Sequence, residues 1–178
     1  WVVQGYCELT TERPEQALAS LEQAYSLDPQ KPEIQYFLAR SYAALHEYQN
    51  AITFFEYALT NGFVPQGEVR RLIARYALEI GNAGLALDQY DALTNDPNAT
   101  FESYQGYVSA AAALGQADAA LAKAKLATEK WPDNARSFEL LGTVAAQLEK
   151  KAEAKAAFEK ALEMNPSLPG VKEKLLAL

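Results

Sequence analysis

The chain has 178 residues, of which 33 are alanine and 23 are leucine, whereas valine and isoleucine together supply only 11. Alanine and leucine favour helices, so the composition predicts an all-α fold and argues against a large sheet. The net charge of −7 and the lack of a basic stripe argue against nucleic-acid binding. No apolar run reaches the roughly 18 to 20 residues of a membrane span, so we expect no direct membrane insertion.

A repeat runs through the whole chain. It is marked by alanines at intervals of 34, 35, 34 and 34 residues, namely Ala17, Ala51, Ala86, Ala120 and Ala154. A proline lies near the end of four of the five repeats, and the second ends instead in Asn61-Gly62, which also stops a helix. A fixed period of this length is typical of stacked helical repeats.

In chain order, the spacing predicts one truncated repeat, four full repeats and a terminal helix. Their bounds are 1–31 for the truncated repeat, 32–66, 67–100, 101–134 and 135–168 for the full repeats, and 169–178 for the helix. The terminal helix is predicted to cap the stack, and the alternative is the first helix of a sixth repeat. Because the chain enters in mid-helix at Trp1, we expect it to be a piece of a longer protein.

The first helix fits the repeat in two registers. Counting back from the first periodic alanine puts Trp1 at a position for a large residue and Gly5 at the position where paired helices cross. A longer turn instead assigns four other apolar residues to the inner face: Val2, Val3, Tyr6 and Leu9. We slightly prefer the second register because it fits the apolar periodicity better.

Small residues recur where the paired helices would cross, and larger residues recur beside them. Leu38-Ala39 and Tyr42 show this in the second repeat, and Leu141-Gly142 shows it in the fifth. Together with the periodic alanines and prolines, these residues resemble the tetratricopeptide repeat over almost the whole chain. The resemblance implies a single domain, 1–178, in which antiparallel helix pairs stack into a right-handed superhelical solenoid.

No residue pattern indicates catalysis, a metal site or a cofactor. His46 is the only histidine, and we interpret it as a surface residue of a helix–helix turn. Cys7 is the only cysteine, so no internal disulfide can form, and we expect a buried thiol. No phosphate-binding, dinucleotide-binding or nucleophile motif occurs. We therefore predict that the chain is not an enzyme and needs no metal or cofactor.

The resemblance also implies a concave groove that is lined by the first helix of each pair and contacts a ligand. It assigns eight residues to this groove: Tyr36, Arg40, Arg71, Arg75, Gln105, Ser109, Glu139 and Thr143. Three of them are arginines, although residues 1–100 contain only six basic residues.

Guanidinium groups bind carboxylates through paired hydrogen bonds, so the three arginines suggest an anchor for an acidic side chain or a terminal carboxylate. The alternative is intramolecular, because Glu33, Glu68 and Glu79 could pair with the same arginines and cancel their charge.

The predicted function is a protein–protein interaction scaffold that binds a peptide or protein segment in the groove. One alternative is a self-assembly module that forms a homo-oligomer. Another is a regulatory or targeting domain of a larger protein of the bacterial secretion or export type. The sequence predicts no cellular compartment, since it carries no targeting segment.

Overall fold

The computed structural model describes all 178 residues, which form eleven helices and no strand. The helices are α1 (Val2–Thr10), α2 (Pro14–Leu27), α3 (Pro32–Ala44), α4 (Tyr48–Thr60), α5 (Gln66–Glu79), α6 (Ala83–Thr94), α7 (Phe101–Ala113), α8 (Ala117–Lys130), α9 (Ala135–Gln147), α10 (Lys151–Met164) and α11 (Val171–Leu176). None of them combines the length and the apolar character that crossing a membrane would require.

The chain divides into two compact units, Trp1–Gln89 and Tyr90–Leu178, and α6 contributes residues to both. In the first unit, each helix from α1 to α4 packs on the next one along the chain. In the second unit, each helix from α7 to α10 does the same. Contacts between consecutive helices therefore build each unit, which is the arrangement that a short helical repeat predicts.

The turn inside each helix pair has the same construction five times. Its middle residue has a positive φ of 57 to 75°, and these residues are Glu12, His46, Gly81, Gly115 and Glu149. Two residues in each turn bond back into the preceding helix, as Asn82 N–H does to the Ala77 carbonyl at 2.7 Å. This is the Schellman pattern, in which a left-handed residue ends a helix while its last carbonyls stay bonded. His46 is exposed in its turn, as predicted.

The periodic alanines form the centre of each pair. Ala17, Ala51, Ala86 and Ala154 have no exposed surface, and Ala120 is 1% exposed. Large side chains fill the space beside them, among them Leu21, Phe55 and Phe158. Small residues thus stand where two helix backbones approach each other, which is the packing reason for the high alanine content.

The preferred register of the first helix is wrong, and the alternative is confirmed. Gly5 is buried, and a Cβ placed on it would lie 2.5 Å from Leu21 Cγ. Gly142 has the same relation to Phe158, at 2.6 Å, so Gly5 marks the crossing of α1 and α2. Val3 is 76% exposed, although the preferred register placed it inside. Apolar periodicity led to the wrong register because the residue at the helix crossing is a glycine, which has no side chain and therefore does not contribute to an apolar pattern.

The register change also corrects the expectation for Cys7, whose side chain is exposed instead of buried. Glu8 is buried in its place. Its carboxylate accepts a hydrogen bond from Gln4 Nε2 at 3.0 Å. Hydrogen bonding with Gln4, and to a smaller extent with Ser20, holds the pKa of Glu8 below its ordinary value, whereas its Oε2 is buried without a hydrogen-bond partner.

Candidate functional site

The three candidate arginines lie in the first unit, and all three are exposed. Arg40 is on α3, and Arg71 and Arg75 are one turn apart on α5, so these two share a helix face. None of them forms an ion pair, because all five ion pairs of the protein join residues of the second unit. Neutralisation by a paired glutamate, the alternative raised by the sequence, is therefore not found in the structure.

Aromatic rings take the place of carboxylates beside two of these arginines. The Arg40 guanidinium carbon lies 6.0 Å from the centre of the Tyr36 ring. That of Arg75 lies 4.7 Å from the centre of the Tyr76 ring, and Arg75 Nη2 donates a hydrogen bond to the Tyr76 hydroxyl at 2.6 Å. A ring orients a guanidinium without cancelling its charge, so the cations remain available to an anion.

Tyr36 supports the site from beneath, since it is only 6% exposed. Its ring stacks on Phe63 with centroids 4.2 Å apart, and its hydroxyl donates a 2.5 Å hydrogen bond to Glu68 Oε1. Burial and this hydrogen bond raise the pKa of Tyr36, so the hydroxyl keeps its proton. Glu68 is thus held by a neutral partner on α3 and forms no pair with an arginine.

The corrected register adds residues that the sequence analysis missed. Tyr6, Leu9 and Thr10 of α1 join Phe37 and Arg40 of α3 around a small notch of about 40 Å³. The rings of Tyr6 and Phe37 stand 5.4 Å apart, tilted by 59°. One signal could have found this surface: Gly5 precedes its periodic alanine by the same interval as Gly142 precedes the alanine of the fifth repeat.

The four candidate residues of the second unit have different surroundings. Gln105 is half-buried and Ser109 exposed on α7. On α9, Glu139 Oε1 pairs with Lys174 Nζ at 2.8 Å, and the same ammonium lies 3.4 Å from Thr143 Oγ1. Two of the four side chains, Glu139 and Thr143, are therefore engaged by Lys174 of α11, and this cation is already paired.

A larger pocket of about 500 Å³ lies beside this contact, between α9, α10 and α11. Thr143, Phe158, Lys174 and Leu178 are among its lining residues. No group of three or more histidine, cysteine, aspartate or glutamate side chains is placed to hold a metal ion. The pocket lining combines apolar side chains with the charged residues Glu149, Lys151 and Lys174.

Comparisons with known proteins identify the family. A tetratricopeptide-repeat model matches residues 9–76, and a second one matches residues 135–168, the span predicted for the fifth repeat. The chain is a tetratricopeptide-repeat protein. No curated protein matches it in sequence.

Solved structures share the fold of this tetratricopeptide-repeat protein at low identity. YrrB, described as a tetratricopeptide-repeat protein with an unusual peptide-binding site, is 22% identical with a TM-score of 0.78, over 98% of this chain and 89% of its own. A MamA fragment from Desulfovibrio magneticus RS-1 is 22% identical with a TM-score of 0.72, over 93% of each chain. Another MamA structure is 17% identical with a TM-score of 0.77, over 92% of this chain and 88% of its own.

The predicted fold class, an all-α array of tetratricopeptide helix pairs, is therefore confirmed. Proteins of this family are typically non-enzymatic interaction modules, which supports the predicted class of protein–protein interaction scaffold.

Proposed function

We propose that the first unit binds an acidic peptide or protein segment through Arg40, Arg71 and Arg75. The observation that carries this proposal is the exposure of three guanidinium groups that form no ion pair. A solved structure of the same fold is described as having a peptide-binding site, which supports peptide binding as the class of function.

The distribution of charge on the helices favours an anion along their middle. Arg40, Arg71 and Arg75 lie in the central turns of α3 and α5, whereas Glu33 lies in the first turn of α3 and Glu79 at the last residue of α5. A ligand carboxylate that lies over the middle of these helices is therefore closer to the arginines than to Glu33 or Glu79. Each hydrogen bond that involves a charged group contributes about 1.5–3 kcal/mol, and exposure to solvent reduces this contribution.

The test compares two double variants that lose the same charge. Arg71→Ala with Arg75→Ala removes the α5 pair, and Arg13→Ala with Lys31→Ala removes two cations elsewhere in the first unit. The probe is a peptide with blocked ends and three glutamates in a glycine–serine background, and its partner peptide has glutamine at the same places. Isothermal titration measures the affinity of each peptide for each protein.

We expect the glutamate peptide to bind the wild type and the control at nearly equal affinity, and the α5 variant at least tenfold more weakly, because two charged donors are lost. The glutamine peptide should bind weakly to all three proteins. Equal affinity of the α5 variant and the wild type for the glutamate peptide would reject the proposal.

A further inference from the structure

We propose that the segment bound by the first unit carries an apolar side chain about four residues from its carboxylate. This inference rests on the proposed function, because it adds a second contact on the same surface. The second contact is the notch between α1 and α3, and its spacing from the α5 arginines selects the ligand.

The notch has an apolar floor. Leu9 and Phe37 are half-buried there, and both pack against the core of the first helix pairs. Tyr6 forms one wall and is 49% exposed, so a ligand that covers its ring removes apolar surface from water. Thr10 is the other hydroxyl residue of the notch, and its Oγ1 already donates to the Cys7 carbonyl at 2.9 Å.

The size of the notch limits what enters it. About 40 Å³ is close to the space that one water molecule occupies in the liquid, roughly 30 Å³, so the tip of a single aliphatic side chain fits. Arg40 is the only charged residue of the lining, and its charge does not oppose the entry of an apolar group beside an acidic one. Each methylene buried there should tighten binding about fourfold.

The helices set the distance between the two contacts. The notch lies between α1 and α3, and the unpaired Arg71 and Arg75 lie one helix further along, on α5. Packed helix axes are about 8–10 Å apart, and the notch lies half a spacing before α3, which the Tyr36–Glu68 hydrogen bond joins to α5, so α5 is about 12–15 Å from the notch. Four residues of extended chain span about 13–14 Å and bring the side chain back to the same face of the ligand, because side chains alternate along an extended chain. An extended ligand that fills the notch therefore presents its fourth residue to the arginines, with Arg40 between the two contacts.

The experiment uses blocked peptides of one length in a glycine–serine background. Two of them hold leucine and glutamate four residues apart, one in each order, and a third holds the two residues adjacent. Further peptides replace leucine by serine or glutamate by glutamine. Affinities are measured for the wild type, for Tyr6→Ser and for Val3→Ser, a control on α1 that lies outside the notch.

We expect one of the two peptides with the four-residue spacing to bind the wild type about tenfold more tightly than the serine peptide and the adjacent peptide. Tyr6→Ser should remove this preference for leucine and keep the dependence on glutamate, whereas Val3→Ser should keep both. Binding that depends on glutamate but not on leucine or on spacing would overturn this inference and leave the proposed function standing. Binding that does not depend on glutamate would reject the proposed function as well.

If Tyr6→Ser loses binding to every peptide, the inference is tested by comparing the peptides of different spacing on the wild type, because that comparison needs no protein variant. A preference for leucine that survives in folded Tyr6→Ser would also overturn the inference.

Discussion

The two units use their charges differently. The first unit has 6 basic and 11 acidic residues and no ion pair, whereas the second has 10 basic and 12 acidic residues and five ion pairs. The larger excess of acid in the first unit would by itself favour pairing. Charge counts therefore do not predict which cations are free; the neighbours on the adjacent helices decide it.

Contacts between aromatic rings are concentrated in the first unit, although four of the six contacts between a cation and a ring lie in the second unit, on Lys123 and Lys130. Ten of the twelve aromatic ring contacts lie in the first unit. They include the rings that orient Arg40 and Arg75 and the stack that supports Tyr36. In the second unit, lysines on one helix reach carboxylates on the next, as Lys125 reaches Glu153 at 2.7 Å. Ring contacts therefore occur in both units, and the absence of a paired carboxylate is what distinguishes the arginines of the first unit.

The largest expected effect concerns two of the three helix contacts that depend on glycine, the third being Gly106 against Tyr90. A Cβ at Gly142 would meet the buried ring of Phe158 at 2.6 Å, and α9 is packed between α8 and α10. We expect Gly142→Ala to lower the free energy of unfolding by about 1–3 kcal/mol, because the overpacked ring cannot move aside. Gly5→Ala should cost less, although its Cβ would meet Leu21 Cγ at 2.5 Å, since α1 packs mainly on α2 and can shift as a whole.

Urea denaturation of each variant measures this difference. Gly84→Ala is the control, because its Cβ would meet only Asn82 Oδ1 at 3.7 Å and α6 should gain up to about 1 kcal/mol from the better helix former. A Gly5→Ala variant that loses more stability than Gly142→Ala would show that the second unit does not have the tighter crossing.

A smaller effect tests the use of charge in the second unit. Lys174→Met removes the contact with Glu139 and Thr143, and we expect a loss of about 0.2–1 kcal/mol that shrinks at high salt. Arg71→Ala should change stability by less than about 0.5 kcal/mol, because its guanidinium has no partner to lose. Thermal unfolding at two salt concentrations compares them. A larger loss for Arg71→Ala would reveal a structural role for that residue.

Much of the fold follows from the period of the sequence. The alanine spacing locates the helix crossings, and one family match, 135–168, coincides with a predicted repeat, whereas the other, 9–76, begins and ends inside predicted repeats. Gly81 and Gly115 also mark two of the left-handed turns. Glu12, His46 and Glu149 adopt the same conformation without being glycine, so the sequence gives no signal for them. Their helix pairs impose that conformation, since the same hydrogen bonds close every turn.

The candidate site was less predictable. The family pattern names Arg40, Arg71 and Arg75, but not their lack of ion pairs, which depends on side-chain placement across helices. It also names Tyr36 as a contact, although stacking on Phe63 buries that ring. The notch was missed because the apolar residues of α1 satisfy helical periodicity in two registers. Only Gly5, at the crossing of α1 and α2, distinguishes the two.

The most direct test of unequal roles for the two units maps where an acidic ligand binds. Nuclear magnetic resonance of the isotope-labelled protein, titrated with the blocked glutamate peptide, reports every backbone amide at once. We predict shifts along α3 and α5, including Arg40, Arg71 and Arg75, with α7 and α9 unchanged. Shifts of equal size at Gln105, Ser109, Glu139 and Thr143, or shifts confined to the second unit, would contradict it.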